Sequence, residues 1–281
     1  MKKILVTGSN GFIGNNFEEW IKDYNDYQLT KLSVRDNSWT SVDFSHYDVV
    51  LHLAGIAHVS TDPQMETKYY EINRDLTIQI ASKSKNEGVK QFIFMSSIIV
   101  YGNKNSKILW DTIPNPENFY GRSKLEAEEG INKLSSEEFS VVVIRPPMIY
   151  GKSSKGNYPR LSKLAKVMPF FPYYPNKRSV LHIDNLCEFI RLIIDNQEAG
   201  VFFPQNKELV GTIDIVKKIR EVHNKKTFLV KGVGFIITKM INHNETLKKV
   251  FGDLIIDENV SKYKYNYHVH NFENSIRETE K

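Results

Sequence analysis

The chain has 281 residues, 41% hydrophobic and 25% charged, with a formal net charge of +5; this is an ordinary globular composition, long enough for one large or two closely packed domains. Its lysines are scattered among acids, as in EEWIKDYND and KLEAEEGINK, without an arginine-rich arm, which argues against a nucleic-acid partner and for solvated helix faces around an anionic small-molecule pocket. One cysteine, Cys187, excludes a disulfide framework and a cysteine-rich metal site. Within DNLCEFIRLII it reads as a small core residue. MKKILVTG has too short an apolar run for a signal peptide, and no run approaches a membrane span, so a cytoplasmic protein with no membrane partner is expected.

In chain order, KILVT (3–7) reads as a strand and Phe12 to about Tyr24 as a helix. Between them Thr7–Gly14 spells T-G-x-x-G-x-x-G. Gly8 permits a tight turn, Gly11 lets a pyrophosphate approach the backbone, and Gly14 allows helix against strand. The free N–H groups of the helix start suit an anion. Asn10, Phe12 and Ile13 join the glycines as candidate cofactor contacts. YQLTKL is the second strand, and LTKLSVRDNSW (29–39) covers the place where an NAD site offers a carboxylate, about twenty residues past the last glycine. Ser33 and Arg35 stand there instead, with Asp36 next. Serine and arginine suit a 2′-phosphate, so NADP is expected and NAD is the alternative; a solvated loop touching neither stays open.

DVVLHLA (48–54) and QFIFMSS (91–97) read as buried strands, separated by a long amphipathic helix, TKYYEINRDLTIQIASKSKNEG. Ser96 and Ser97 close the second of these strands, at the end where open α/β sheets bind ligands. YGRSK places Tyr120 and Lys124 on one face of a helix running to about Leu134. An adjacent cation and an oxidised nicotinamide would both favour the phenolate and let this tyrosine move a proton at neutral pH. SVVVIRP (140–146) is the next strand. Alternating β and α with continuously apolar strands predicts an α/β fold, a Rossmann-type doubly wound parallel sheet.

Past Pro147 the pattern loosens. MPFFPYYPNKRS resembles a binding loop more than a packing element, GNY (156–158) opens a helix, and helices follow at 184–196 and 212–222. Asp184 is expected to cap the first of these, and GVGFIITKMI (232–241) to be a buried helix. The expected division is a nucleotide-binding domain over 1–150 and a smaller, partly interleaved substrate-binding lobe over 151–281.

TGSNGFIG, LHLAG, NRD, SSIIVYG and YGRSK, in this order, resemble the extended short-chain dehydrogenase/reductase family, and within it the nucleotide-sugar epimerases, dehydratases and 4-keto reductases. The resemblance covers nearly the whole chain. It implies that Ser97 hydrogen-bonds the reacting sugar oxygen, that Tyr120 is the general acid/base, and that Lys124 holds the nicotinamide ribose. It further implies that Asn73 supports the active-site loop, that Asp43-Phe44 flank the adenine, and that Leu53, Ala54, Gly55 and His58 pass the cofactor phosphates. Arg178 in KRSVLHIDN matches an arginine that clamps the nucleotide diphosphate, and Asn157 a contact at the nucleotide end. Pro147 lines the nicotinamide pocket, where Met148 replaces an asparagine that often reaches substrate.

Two carboxylates typical of dehydratases are missing, because Ile98-Ile99 follow Ser97. The expected activity is reduction of the C4 ketone of a UDP-linked 4-keto-6-deoxy-N-acetylhexosamine in polysaccharide synthesis. A UDP-hexose 4-epimerase is the alternative on the same scaffold, and a non-catalytic sensor or scaffold the alternative of another class. The resemblance also implies a homodimer formed through helices near 66–87 and 120–134.

Overall fold

Strands whose every residue is apolar must be covered on both faces, and this requirement sets the architecture. The computed structural model describes residues 1–8, 10–57, 62–103, 105–241 and 244–281. Its main sheet has six strands, β1 (Lys2–Thr7), β2 (Tyr27–Leu32), β3 (Val49–His52), β4 (Gln91–Met95), β5 (Ser140–Ile144) and β6 (Gly200–Phe202). They lie in the order β6-β5-β4-β3-β1-β2, and all pairs are parallel. The register pairs Thr7 with His52, His52 with Phe94, and Met95 with Ile144, so the strands finish along one edge. Chain order reverses between β1 and β3, which opens a crevice at that edge.

Because successive strand residues point to opposite faces, consecutive positions enter different cores. Ile4, Val6, Leu51, Ile93 and Val142 pack with Phe17 of α1 (Phe12–Ile21). Leu5, Val50, Phe92 and Val143 face the other way, onto Ile80, Ala127 and Ile131. The long helix predicted over 67–88 is divided into α2 (Glu66–Tyr69), a π turn (Tyr70–Asp75) and α3 (Leu76–Asn86). α4 spans Phe119–Asn132. None of the exposed large apolar side chains lies on α3 or α4, so their apolar stripes serve the core of this chain.

The remaining helices are α5 (Asn157–Val167), α6 (Ile183–Asp195), α7 (Thr212–Val222) and α8 (Gly234–Ile241), with a C-terminal helix Phe272–Glu280. α6 buries Leu186, Cys187, Ile190 and Ile194 against the β1 face of the sheet. A further core joins Tyr150, Tyr158, Phe171, Ile213, Val216, Ile219 and Ile276. Among the described residues, no helix is long and apolar enough to cross a membrane.

Two expectations are corrected. Asp184 does not cap α6: His182 does, its Nδ1 accepting from the Asp184 N–H at 3.3 Å, while the Asp184 carboxylate pairs with His270 Nε2 at 2.9 Å. The buried helix expected over 232–241 forms as α8 and buries Ile237, but Phe235 is 65% and Met240 49% exposed. Among the described side chains of this helix, Phe235 and Met240 are thus left open.

The C-terminal helix is fastened at its last turn. The Glu280 carboxylate, 2% exposed, accepts from Tyr158 OH at 2.9 Å, Ser162 Oγ at 2.8 Å and His223 Nε2 at 2.8 Å, and pairs with Lys166 at 2.7 Å. Burial alone would raise its pKa, but Lys166, His223, Ser162 and Tyr158 together hold it below the usual carboxylate value. A depressed carboxylate contributes stability above its unfolded pKa and loses it as pH falls through the folded one. Glu280→Gln is therefore expected to lower stability by about 1–3 kcal/mol at neutral pH. It should also flatten the loss of stability on acidification below the usual carboxylate pKa. Urea midpoints measured against pH check both; a variant with an unchanged midpoint at neutral pH would refute the fastening.

Candidate active site

The glycine loop lies at the crevice between β1 and β3. Gly8 has φ +84°, and a Cβ there would come within 2.9 Å of the Ala54 nitrogen and 3.0 Å of the Leu53 carbonyl carbon. A side chain would thus be strained and would push the loop off the end of β3. Gly11 precedes α1 as its N-cap and donates its N–H to Gly8 O at 2.9 Å; no side chain caps the helix. Gly14 sits against Leu53 and Val6. This close, uncapped cradle, with Asn10 exposed and Phe12 and Ile13 half-buried beside it, fits the pyrophosphate of a dinucleotide.

The loop after β3 is held from behind by the π turn. Asn73 is fully buried; its Oδ1 accepts from the Ile56 N–H at 2.8 Å, and its Nδ2 donates to Ile56 O at 3.2 Å and Ser123 Oγ at 3.3 Å. A Cβ on Gly55 would stand 3.0 Å from Asn73 Oδ1 and 3.3 Å from Lys124 Nζ. This loop therefore lies directly over the lysine. His58 lies outside the described residues.

Asn118 starts α4 by accepting from the Gly121 N–H at 2.8 Å, which sets Tyr120 in the first turn and Lys124 one turn further along. Ser97, at the end of β4, caps a short turn by accepting from the Ile99 N–H at 3.3 Å, and its hydroxyl hydrogen-bonds the Tyr120 phenol. Tyr120 packs edge-on against Tyr69, with ring centroids 5.9 Å apart. Burial, with the nearby Tyr69, pushes the phenol up to about 12, while the Ser97 bond works against that rise. This direction is opposite to the lowering expected from a neighbouring cation.

Lys124 is 6% exposed. It donates to Met95 O at 2.9 Å and stands 4.5 Å from the centre of the Phe94 ring. Burial brings its ammonium down to about 8, with Glu128 opposing the fall.

Two groups that sequence reasoning missed support this set. Glu128, one turn after Lys124, accepts from Ser96 Oγ and receives the Arg145 guanidinium, with Nη2 to Oε2 at 2.5 Å and Nε to both oxygens at 3.1 and 3.2 Å. Arg145 also donates to Tyr101 OH at 2.6 Å. The Lys124–Glu128 spacing of one turn and the arginine in RPPMIYG were the available signals. His52 is the other group, and it is fully buried. Thr77 Oγ1 donates to Asn73 O and so accepts from His52 Nε2 at 3.0 Å; His52 Nδ1 then accepts from Thr7 Oγ1 at 2.7 Å. Burial and the Lys124 charge take its pKa down to about 3, so a neutral imidazole ties β1 to the first turn of α3.

At the end of β2, Ser33 and Arg35 are exposed and Val34 between them is buried. The Asp36 carboxylate is engaged, accepting from the Ser38 N–H at 3.0 Å as the cap of the turn Asn37–Ser41. Asp43 accepts from the Ser45 N–H at 2.8 Å and pairs with His46 at 3.2 Å. The Phe44 ring is fully buried, with Lys83 Nζ 5.0 Å from its centre. Pro147 is buried and Met148 half-buried.

Asn157 is exposed at the start of α5. Arg178 is half-buried between Val210 and Leu254, with Nη1 donating to Gly252 O at 2.5 Å, and burial lowers its pKa. The structure thus brings Gly55, Asn73, Ser97, Tyr120 and Lys124 together, whereas Asn157 and Arg178 belong to separate elements after β5.

Comparison with known proteins shows the family and the fold. Residues 4–203 match the model of the NAD dependent epimerase/dehydratase family. The chain is 32% identical to a UDP-glucose 4-epimerase of Vibrio cholerae, over 91% of this chain and 87% of that one. It is 30% identical to the N-acetyl-alpha-D-glucosaminyl-diphospho-ditrans,octacis-undecaprenol 4-epimerase of Escherichia coli O157:H7, over 79% and 73% respectively. Among solved structures, a dTDP-4-dehydrorhamnose reductase of Clostridium acetobutylicum shares the fold with a TM-score of 0.77 at 18% identity, over 99% of this chain and 98% of that one.

The Glu128–Arg145 pair is buried, at 2% and 11% exposure. Arg145→Met leaves an unpaired buried carboxylate and is expected to cost about 3–5 kcal/mol. Pairing it with Glu128→Leu should recover a large part of that loss. Urea unfolding of the two single variants and the double variant reads the coupling; strictly additive losses would mean that the pair is not a unit.

Proposed function

The chain belongs to the NAD dependent epimerase/dehydratase family, and from that premise we propose that it inverts the configuration at C4 of a UDP-linked hexose. One observation carries the reading: a single phenol, Tyr120, is hydrogen-bonded to Ser97 at the end of a parallel strand, and apolar Ile98 and Ile99 follow that serine. This equipment serves alcohol–ketone exchange at one carbon. Elimination of water would need a further acid and base beside Ser97.

A nicotinamide dinucleotide, held by the Gly8–Gly14 loop, by Leu53–Gly55 and by Lys124, would supply hydride exchange. Tyr120 takes the proton of the C4 hydroxyl as C4 gives up its hydride, and returns that proton to the same oxygen once hydride would be restored on the opposite face of C4. Ser97 holds the same oxygen, and its hydrogen bond strengthens as negative charge develops. A phenol standing near 12 needs positive charge at the site before it can act as base at neutral pH; Lys124 and an oxidised nicotinamide both have that sign. Arg178, with one N–H engaged by Gly252 O, keeps further donors for a diphosphate. The relatives from Vibrio cholerae and Escherichia coli are named for 4-epimerisation of a hexosyl diphosphate, one on a nucleotide and one on a polyprenol, which favours a site selective for the hexosyl diphosphate.

A second reading has one observation in its favour. With Asp36 engaged by Ser38 and Ser33 and Arg35 exposed after β2, the adenosine ribose end suits a 2′-phosphate. That fits a reductase drawing NADPH for the C4 ketone of a UDP-linked 4-keto-6-deoxy-N-acetylhexosamine in polysaccharide synthesis.

The two readings separate in one assay. Interconversion of UDP-glucose with UDP-galactose, or of their N-acetylated counterparts, without net NADPH oxidation is expected. Stoichiometric NADPH loss on the 4-keto sugar, with no interconversion, would replace the epimerase by the reductase. Tyr120→Phe should lower kcat by about 10²–10⁴-fold while leaving dinucleotide affinity within about threefold. An active Phe variant would remove Tyr120 from the mechanism under either reading.

A further inference from the structure

The strands Phe170–Pro172 and Phe228–Val230 form a two-stranded parallel ribbon. Its inner face is ordinary: Phe171 is 4% exposed and packs against Phe251, with ring centroids 6.0 Å apart. The outer face of a parallel ribbon is normally covered as well. Here it carries Phe170 (58% exposed), Phe228 (52%) and Val230, with the two phenylalanine rings 5.6 Å apart. The apolar surface continues on both sides. Val167 and Met168, at the end of α5, are exposed just before the ribbon. Tyr173 donates its N–H to Val230 O and is exposed, and its carbonyl lies 3.4 Å from a Cβ built on Gly234, which joins α8 and its exposed Phe235 to the same face.

Charge decides what covers this face. From Phe139 to Ile183 and from Val222 to Asn244 the sequence has no Asp or Glu. Those two stretches meet at the ribbon; Lys225, Lys226 and Lys231 adjoin its second strand in sequence, and they are exposed, as are Lys163 on α5 and Lys239 on α8. Lys239 Nζ stands 4.3 Å from the centre of the Phe235 ring. A second copy seated on the face by a twofold axis would set lysines against lysines, which is repulsive. Exposed phenylalanine, methionine and tyrosine inside a ring of lysines instead match the apolar–headgroup boundary of an anionic bilayer. There, shallow insertion of apolar side chains adds to attraction of the cations.

We propose that this face, formed by the end of α5, the ribbon and α8, docks the protein on an anionic lipid surface. The face shares no residue with the Ser97–Tyr120–Lys124 group, and the inference holds whichever reaction that group runs. It reverses the expectation of no membrane partner for the 232–241 segment, because the helix expected to be buried leaves Phe235 and Met240 open.

The test is flotation of the purified full-length protein with vesicles of phosphatidylcholine alone or with about one third phosphatidylglycerol. Binding is expected to the mixed vesicles, weakening as salt rises. Phe170→Ser with Phe228→Ser, and separately Lys225→Glu with Lys226→Glu and Lys231→Glu, should each reduce bound protein at least about fivefold. Wild-type urea midpoints and unchanged far-ultraviolet circular dichroism would show that the variants remain folded. No binding to the mixed vesicles, or equal binding by wild type and variants, overturns the proposal. So does concentration-dependent self-association that the phenylalanine variants abolish, since a second copy would then be the occupant. Because the vesicles contain no sugar, failure here leaves the 4-epimerase reading standing, and failure of that reading leaves this one standing.

Discussion

A buried ammonium donating to a strand-end carbonyl, Lys124 to Met95, is the contact on which the rest of the site depends. It fixes the first turns of α4 to the end of β4 and so sets the separation of Tyr120 from Ser97. The lysine also lies beneath Gly55, in the loop that the π turn holds through Asn73. Taking an amine out of water is unfavourable, as its lowered pKa shows. The structure offsets this with the Phe94 ring below and the Glu128 carboxylate one turn away. Glu128 in turn needs Arg145, and Arg145 reaches Tyr101 in the turn that follows Ser97. The chain of contacts closes on itself around the strand end. Rigidity of this kind suits chemistry in which one proton must be placed on the same oxygen repeatedly.

The parts legible in the sequence were those with a period or a fixed spacing. Continuous apolar runs predicted parallel strands covered on both faces, and the six-stranded sheet has that form. The glycine spacing placed Gly8 where its neighbours leave no room for a side chain. Y-x-x-x-K placed two residues on one helix face. What stayed hidden depends on contacts between distant segments. For Glu128 the one-turn spacing from Lys124 was the local signal, but an exposed acid on the same helix has it too, and His52 reads as an ordinary strand histidine; burial and partners decide, and these come from folding. The π turn at 70–75 likewise breaks no propensity rule, and only the inward position of Asn73 reveals it. At Asp184 a residue type common at helix starts suggested a cap, but His182, two positions earlier, holds that place.

Packing also shows why the region after β5 looked irregular. Its elements are short, and several meet partners far away in sequence, as the strand Met148–Tyr150 does with Val180–His182. Aromatic residues fill the gaps: Tyr150 stacks on Tyr158, with centroids 5.1 Å apart, and Tyr150 OH meets Ser275 in the C-terminal helix. Such a core has no repeating pattern to read, because each contact joins residues from different elements.

α6 has a consequence for the order in which the protein can fold. The face of the sheet bearing Ile4, Val6, Leu51 and Ile93 is covered by Leu186, Ile190 and Ile194, and β6 adds to β5 only from residues 200–202. During synthesis from the N-terminus, β1 to β5 therefore emerge long before the helix that covers one of their faces. Until then the nascent sheet presents an apolar face and an unpaired strand edge, both hazards for association with other chains. Such long-range closure is characteristic of slow folding. The glycine loop is thus made well before α6, the helix that completes the apolar core beneath it.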